Sequence, residues 1–216
     1  MKTTTPIRRF SDLASAVAAA PARLGDVRLI AVDGRAGSGK TTFAGRLAAA
    51  MRASALSVAE IHTDDLLSGW GDILSFAPRL LEQVLAPLLA GQPAAYYRYD
   101  WLAERFQQTP VVVGVPDVLI VEGTASANAE VRSSATLVVR VTAPRDLRLA
   151  RGMIRDGEAL LPQWRRWMAD EDDHFTRRAA DQADHADVVV NGAPAIVHDP
   201  NREYVVADPC AVGVEL

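Results

Sequence analysis

A single cysteine, Cys210, among 216 residues excludes an internal disulfide and any zinc site built from several thiolates. A basic excess is also missing. The 23 Lys and Arg face 27 Asp and Glu, a net charge of -4, so no global field draws in nucleic acid or an anionic membrane. Long apolar runs are absent too: the stretch from Leu80 to Gly91 is broken by Glu82, Gln83 and Pro87 and falls short of the roughly 20 residues that span a bilayer. Lys2, Arg8 and Arg9 precede an Ala-rich segment, but Ser11 and Asp12 make it a poor signal-peptide core. The expectation is a cytoplasmic protein without nucleic-acid or membrane partners. No internal repeat or biased linker marks a boundary, so residues 1–216 read as one domain.

Hydrophobic residues at 49% and charged residues at 23% are close to soluble averages and allow a sizeable core. Phe10, Leu13, Ala14 and Val17 share one face of a lead-in helix from Phe10 to Ala20. Val27–Val32, Ala55–Ile61, Val118–Val121, Thr136–Val141 and Asp187–Val190 read as buried strands. Thr41–Met51, Phe76–Ala90 and a long charged stretch from Asp146 to Ala183 read as helices. Strands alternating with helices predict an α/β fold: a parallel five-stranded sheet with helices on both faces. Residues 92–116, rich in aromatics and bounded by prolines, read as a β-ribbon insertion, and residues 193–216 as a tail in which Glu203–Val206 alone resembles a strand.

Gly34-Arg35-Ala36-Gly37-Ser38-Gly39-Lys40-Thr41 satisfies G-x-x-x-x-G-K-[ST] between a predicted strand and a predicted helix, the context that a phosphate-binding P-loop requires. The glycines let successive N–H groups turn inward onto phosphate oxygens, Lys40 reaches the β- and γ-phosphates, and Thr41 ligates Mg²⁺. The competing reading is a glycine-rich turn without a ligand. A guanine-reading Asn-Lys-x-Asp run is absent, which disfavours GTP specificity of that kind.

The second strand ends in His62-Thr63-Asp64-Asp65, at the sheet edge that opens onto the P-loop. One carboxylate of the pair can accept a proton from a substrate hydroxyl and the other can hold the Mg²⁺ water shell; alternatively either caps a helix. Glu122, closing the apolar strand Val118–Val121, stands where a Walker-B acid would sit beside the metal. Arg145, Arg148, Arg151 and Arg155 follow at spacings that place them on one helical face, a phosphate clamp within a lid at 145–160. A solvated helix pairing with Asp146, Asp156 and Glu158 is the plainer alternative.

On these residues the chain resembles the uridine kinase and phosphoribulokinase group of P-loop small-molecule kinases. The likeness comprises Asp33-Gly34 through Thr42, the Asp64-Asp65 pair, Leu119 to Gly123, the lid-like run Arg148 to Asp156, Phe175, and Ala186 to Gly192. Gly152 stands where many members carry a further arginine. The resemblance implies a P-loop NTPase-type fold with a helical lid and ATP-dependent phosphorylation of a hydroxyl. It implies Asp64 as the base, Lys40, Arg151 and Arg155 on phosphates, and Thr41 and Glu122 near Mg²⁺; Asp65, beside Asp64, is the pair's expected metal-side acid. The nucleotide contacts it implies are Gly34, Ala36, Gly37, Ser38, Gly39, Thr42 and Arg148, with the loop at Gly192 bordering adenine. An aromatic pair expected after the strand-two acid is replaced by Leu66-Leu67-Ser68-Gly69-Trp70.

The expected acceptor pocket contains His62, Trp70, Tyr97, Arg98 and Asp100, whose ring faces, single cation and acids suit an uncharged or mildly polar small molecule. A packed ribbon covering the core would use the same aromatics. Three functions stay open: a kinase for a hydroxylated metabolite, a P-loop ATPase or nucleotide-binding regulator, and a nucleoside-monophosphate kinase. The sequence leaves the oligomeric state undetermined.

Overall fold

The computed structural model describes residues 6–71, 73–180 and 185–207; Cys210 and the last part of the tail lie outside the described residues. The chain runs through β1 (Ile7–Arg9), α1 (Phe10–Ala19), β2 (Arg28–Asp33), α2 (Lys40–Ala53) and β3 (Val58–His62). Helices α3 (Ala77–Leu80) and α4 (Ala86–Leu89) flank a π-wound turn, Leu81–Leu85. The insertion holds β4 (Ala94–Tyr96), β5 (Tyr99–Asp100), β6 (Arg105–Phe106) and β7 (Val111–Val113). Then follow β8 (Val118–Glu122), α5 (Ala129–Ser134), β9 (Ala135–Thr142), α6 (Arg145–Asp156), α7 (Leu161–Ala180), β10 (Val188–Asn191) and β11 (Glu203–Val205).

Five strands form an all-parallel sheet in the order β10-β9-β2-β8-β3. The central strands β2 and β8 are apolar along most of their length because helices cover both faces of the sheet. Leu29, Ala31, Leu119 and Val121 point to the layer holding Leu80, Val84 and Leu88. Their neighbours Ile30, Val32, Val118 and Ile120 point to the layer of Phe43, Leu47 and Met51 on α2. The chain leaves β2 toward β3 on one side and later crosses to β9 on the other, so the crevice at the carboxyl end of β2 is a topological switch point, where open α/β sheets bind ligands.

The insertion is a ribbon of two antiparallel pairs, β4 with β7 and β5 with β6. The predicted helix from Phe76 to Ala90 is interrupted at its middle turn, where Pro87 lacks the N–H that would continue regular winding. The long helix expected from Asp146 divides in two: Gly157 takes φ 89° and ends α6 before a short 3₁₀ turn, Glu158–Leu160, opens α7. Strand β1, with no periodic signal of its own, pairs antiparallel with β11, and Phe10, Phe43 and Tyr204 pack ring to ring beside it. Among the described residues no helix is long and apolar enough to cross a membrane.

Candidate active site

The Gly34–Thr41 segment joins β2 to α2 as its spacing predicts. Gly37 has φ 76°, and a Cβ there would come within 2.5 Å of the Arg148 carbonyl; no side chain could both adopt that backbone and let α6 lie so close. Lys40 opens α2, is 7% exposed, and donates to the Arg35 carbonyl at 3.0 Å. Behind the loop, Asp33 is buried, accepts from the Gly34 amide at 2.7 Å, and is matched by Arg178 at 2.7 Å.

The acids at the strand ends take different roles. The Thr41 hydroxyl donates to Glu122 Oε1 at 2.9 Å, and His62 Nδ1 lies 2.5 Å from the same oxygen. Burial pushes the Glu122 carboxyl up, but the His62 bond and the Lys40 charge outweigh it and leave it lowered; His62 is correspondingly raised, chiefly by that bond. Asp64 and Asp65 lie on a short 3₁₀ turn whose cap position, His62, makes no side-chain capping bond. Asp64 is open to solvent yet crowded by surrounding protein, which raises its carboxyl against the pull of Lys40; Glu122 raises it further, and Arg155 and His62 lower it. Asp65, expected beside the metal, pairs with Arg98 Nε at 3.0 Å and accepts from the Tyr96 hydroxyl at 3.4 Å.

The four arginines of α6 differ in their partners. Arg145 pairs with Asp172, and Arg148, 4% exposed, is buried against Glu171 at 3.3 Å. Arg148, expected at the nucleotide, thus touches the P-loop through the Ala36 carbonyl at 3.4 Å. Arg151 bridges the Gly37 carbonyl at 3.1 Å and the Gly192 carbonyl at 3.0 Å. Arg155 forks onto Asp156 at 2.7 and 2.9 Å, with its guanidinium over the Trp164 ring, and its pKa is raised by that bond. Gly152 faces the same indole: a Cβ there would approach it to 2.4 Å, which is why no larger residue stands at that lid position.

Of the expected acceptor residues, His62 belongs to the Glu122 pair and Arg98 to Asp65. Trp70 packs edge-on against both Trp101 and Trp167, and the Trp101 indole donates to the Asp64 carbonyl at 3.2 Å. Asp100 turns inward on its own hairpin, accepting from the amides of Leu102 and Ala103 at 3.0 and 2.9 Å. Tyr97 stays 41% exposed, with its amide on Gln83. Sequence reasoning missed Glu171, fully buried in α7. Its signal was present: Trp164, Trp167, Met168, Glu171 and Phe175 recur at helical spacing and are all buried.

A cavity of about 320 Å³ lies beside the P-loop, bordered by Thr42, Phe43, Arg151, Gly192, His198 and Tyr204. It adjoins the loop at Gly192. The residues fit a Mg²⁺-nucleotide: Ser38 Oγ is buried with no hydrogen-bond partner in the cradle, Lys40 supplies a cation, and Thr41 with Glu122 presents a hydroxyl and a carboxylate together. Among the described residues, no three His, Cys, Asp or Glu side chains converge as a metal cluster; a magnesium held partly by phosphates and water needs none.

No protein-family model matches the chain, and no curated protein matches its sequence. Solved structures do. A possible uridine kinase from Bacillus stearothermophilus superposes with TM-score 0.60 at 21% identity, covering 83% of this chain and 96% of that one. A candidate fructose transport system kinase from a Silicibacter species superposes with TM-score 0.52 at 20% identity, covering 71% of this chain and 87% of that one. The fold is therefore that of the P-loop kinases.

Proposed function

We propose that the protein is an ATP- and Mg²⁺-dependent kinase that phosphorylates a hydroxyl of a small metabolite, nucleoside-like or sugar-like. The observation that carries this reading is the placement of Asp64: a solvent-accessible carboxylate at the end of β3, near Lys40, Glu122 and Arg155, the groups expected around the transferred phosphate. The likeness to two proteins described as kinases of a nucleoside and of a sugar transport system supports it.

In the proposed reaction the acceptor hydroxyl oxygen bonds to the γ-phosphorus as the bond to the β–γ bridging oxygen breaks, ADP leaves, and the hydroxyl proton passes to Asp64. Lys40 and Arg155 stabilise charge spreading over the γ-oxygens, and Arg151 joins the P-loop to the base-side loop at Gly192. Thr41 and Glu122 would hold Mg²⁺, which when bound neutralises phosphate charge. Arg98 is matched by Asp65, so this part of the acceptor side favours an uncharged acceptor over a nucleoside monophosphate.

The test is a panel of nucleosides, pentoses, vitamins and amino-sugars incubated with Mg·ATP, with ADP release and product mass measured beside a no-acceptor control. Acceptor-dependent ADP release with a phosphorylated product is the expected result. ADP release at one rate with every compound and with none would overturn the kinase reading in favour of an ATPase.

A further inference from the structure

One buried carboxylate that the reaction does not use lies where the phosphate loop, α6, α7 and the segment after β8 meet. Glu171, midway along α7, has no solvent exposure. Its Oε1 accepts from the Ala36 amide at 2.5 Å, the Trp167 indole at 2.9 Å and the Thr124 hydroxyl at 3.0 Å, while its Oε2 faces Arg148 Nη1 at 3.3 Å. These donors come from the P-loop, from α7 itself, from the segment just after Glu122, and from α6. Ala36 is gripped twice, by Glu171 at its N–H and by Arg148 at its carbonyl, the latter at 3.4 Å.

A buried anion is tolerated when its lone pairs are filled. Three of the bonds here could have come from any packed polar neighbour, yet one comes from the loop whose backbone must curl around phosphate. Before a nucleotide arrives, such a loop gathers N–H groups that favour an anion at its centre. A carboxylate that takes one of those N–H groups from the α7 side fixes the curl independently of the ligand. Its partner Arg148 lies on the helix that carries Arg151 and Arg155, so the same group sets the distance between loop and lid.

We propose that Glu171 is a positioning residue: building on the nucleotide reading above, it holds Ala36 and Arg148 in one fixed relation, so that the P-loop and α6 are set for the triphosphate before it binds. A core ion pair that merely stabilises the fold is the rival account.

The two accounts separate in calorimetric titrations of Mg·ATP into the wild type, Lys40→Ala, Glu171→Gln, and the double variant Glu171→Gln with Arg148→Met, which leaves no unmatched buried charge. Thermal unfolding is followed in parallel, and the Ala36 amide is followed by proton exchange in the wild type. The positioning account expects slow exchange at Ala36 and an ATP affinity lowered about tenfold or more in both Glu171 variants, the worth of one charge-assisted hydrogen bond. It expects that loss to persist in the double variant even where its melting temperature recovers.

Affinity within twofold of wild type in either folded Glu171 variant would overturn it. So would fast exchange of the Ala36 amide in the unmodified protein, a readout that needs no variant to fold. A wild type that takes up no Mg·ATP, with Ala36 still protected, would sink the nucleotide reading rather than the positioning contact.

Discussion

Arg98 Nε stands 3.0 Å from Asp65 Oδ2, joining the inserted ribbon, at the junction of β4 and β5, to the turn that carries Asp64. The pair is partly exposed, so its direct worth to stability is small. Its effect on position is larger: with the Trp101 indole on the Asp64 carbonyl, it seats the ribbon over the proposed acceptor side. Arg98→Ala is expected to raise the acceptor KM several-fold while the ATP KM stays near its original value. Steady-state kinetics with each substrate varied will decide; equal changes in both constants would make the ribbon a structural cover alone.

Lys40 is expected to control nucleotide binding. A ligand that binds the folded state alone adds about 2.7 kcal/mol at one hundred times its Kd, so Mg·ATP should raise the melting temperature of the wild type by several degrees. Lys40→Ala should abolish most of that rise. A thermal shift that survives the substitution would place the nucleotide elsewhere.

Asp64→Asn preserves shape and removes the basic lone pair. Acceptor phosphorylation should fall by about 10² to 10⁴, the usual contribution of a general base, with ATP binding retained. Asp65→Asn, which loosens Arg98 instead, should show itself in the acceptor KM. If Asp65→Asn alone abolishes turnover and Asp64→Asn leaves it intact, the roles of the pair are reversed.

Arg151 and Arg155 differ in what they touch, and their variants should differ likewise. Arg151→Ala frees the carbonyls of Gly37 and Gly192 and should weaken ATP binding together with turnover. Arg155→Ala removes a cation now turned to Asp156; it should lower kcat about tenfold or more with little change in ATP KM, because its charge is needed most as the phosphoryl group moves. Matched losses of affinity in both would place Arg155 in ground-state binding.

Asp156 carries a pH signature. Burial raises its carboxyl, but the bonds from Arg155 and from the Trp164 indole at 2.9 Å outweigh that and leave it lowered. A carboxyl lowered in the fold contributes stability that is present above its unfolded value and lost as pH falls through the folded one. Asp156→Asn should therefore be less stable than wild type by about 1 kcal/mol near neutrality, with the gap closing on acidification. Urea unfolding across the acid range measures it; a gap that stays constant would assign the loss to shape instead of charge.

The parallel sheet and its P-loop were legible because their signals are local and dense: apolar runs at Arg28–Asp33 and Val118–Glu122, and a glycine spacing that admits few backbones. The pairing of β1 with β11 was not: Glu203–Val206 resembled a strand, but β1 carries no such signal, and the two lie far apart in sequence. The arginine face was legible as a face but not by destination. Arg145, Arg148 and Arg155 pair with Asp172, Glu171 and Asp156, acids that a charge pattern shows as solvated. Asp65 shows the same limit: its neighbour in sequence is Asp64, but its partner Arg98 arrives from the insertion.

The packing of Trp164 onto Gly152, together with the Arg148–Glu171 and Arg145–Asp172 pairs, ties α6 to α7 along their length. A flap hinged at its own two ends could not swing without breaking all three. Glu171 and Arg148 also grip Ala36, so the two helices and the P-loop are held as one block. On the proposed nucleotide reading, binding need immobilise little additional chain, because the entropy of ordering these helices has already been spent in folding.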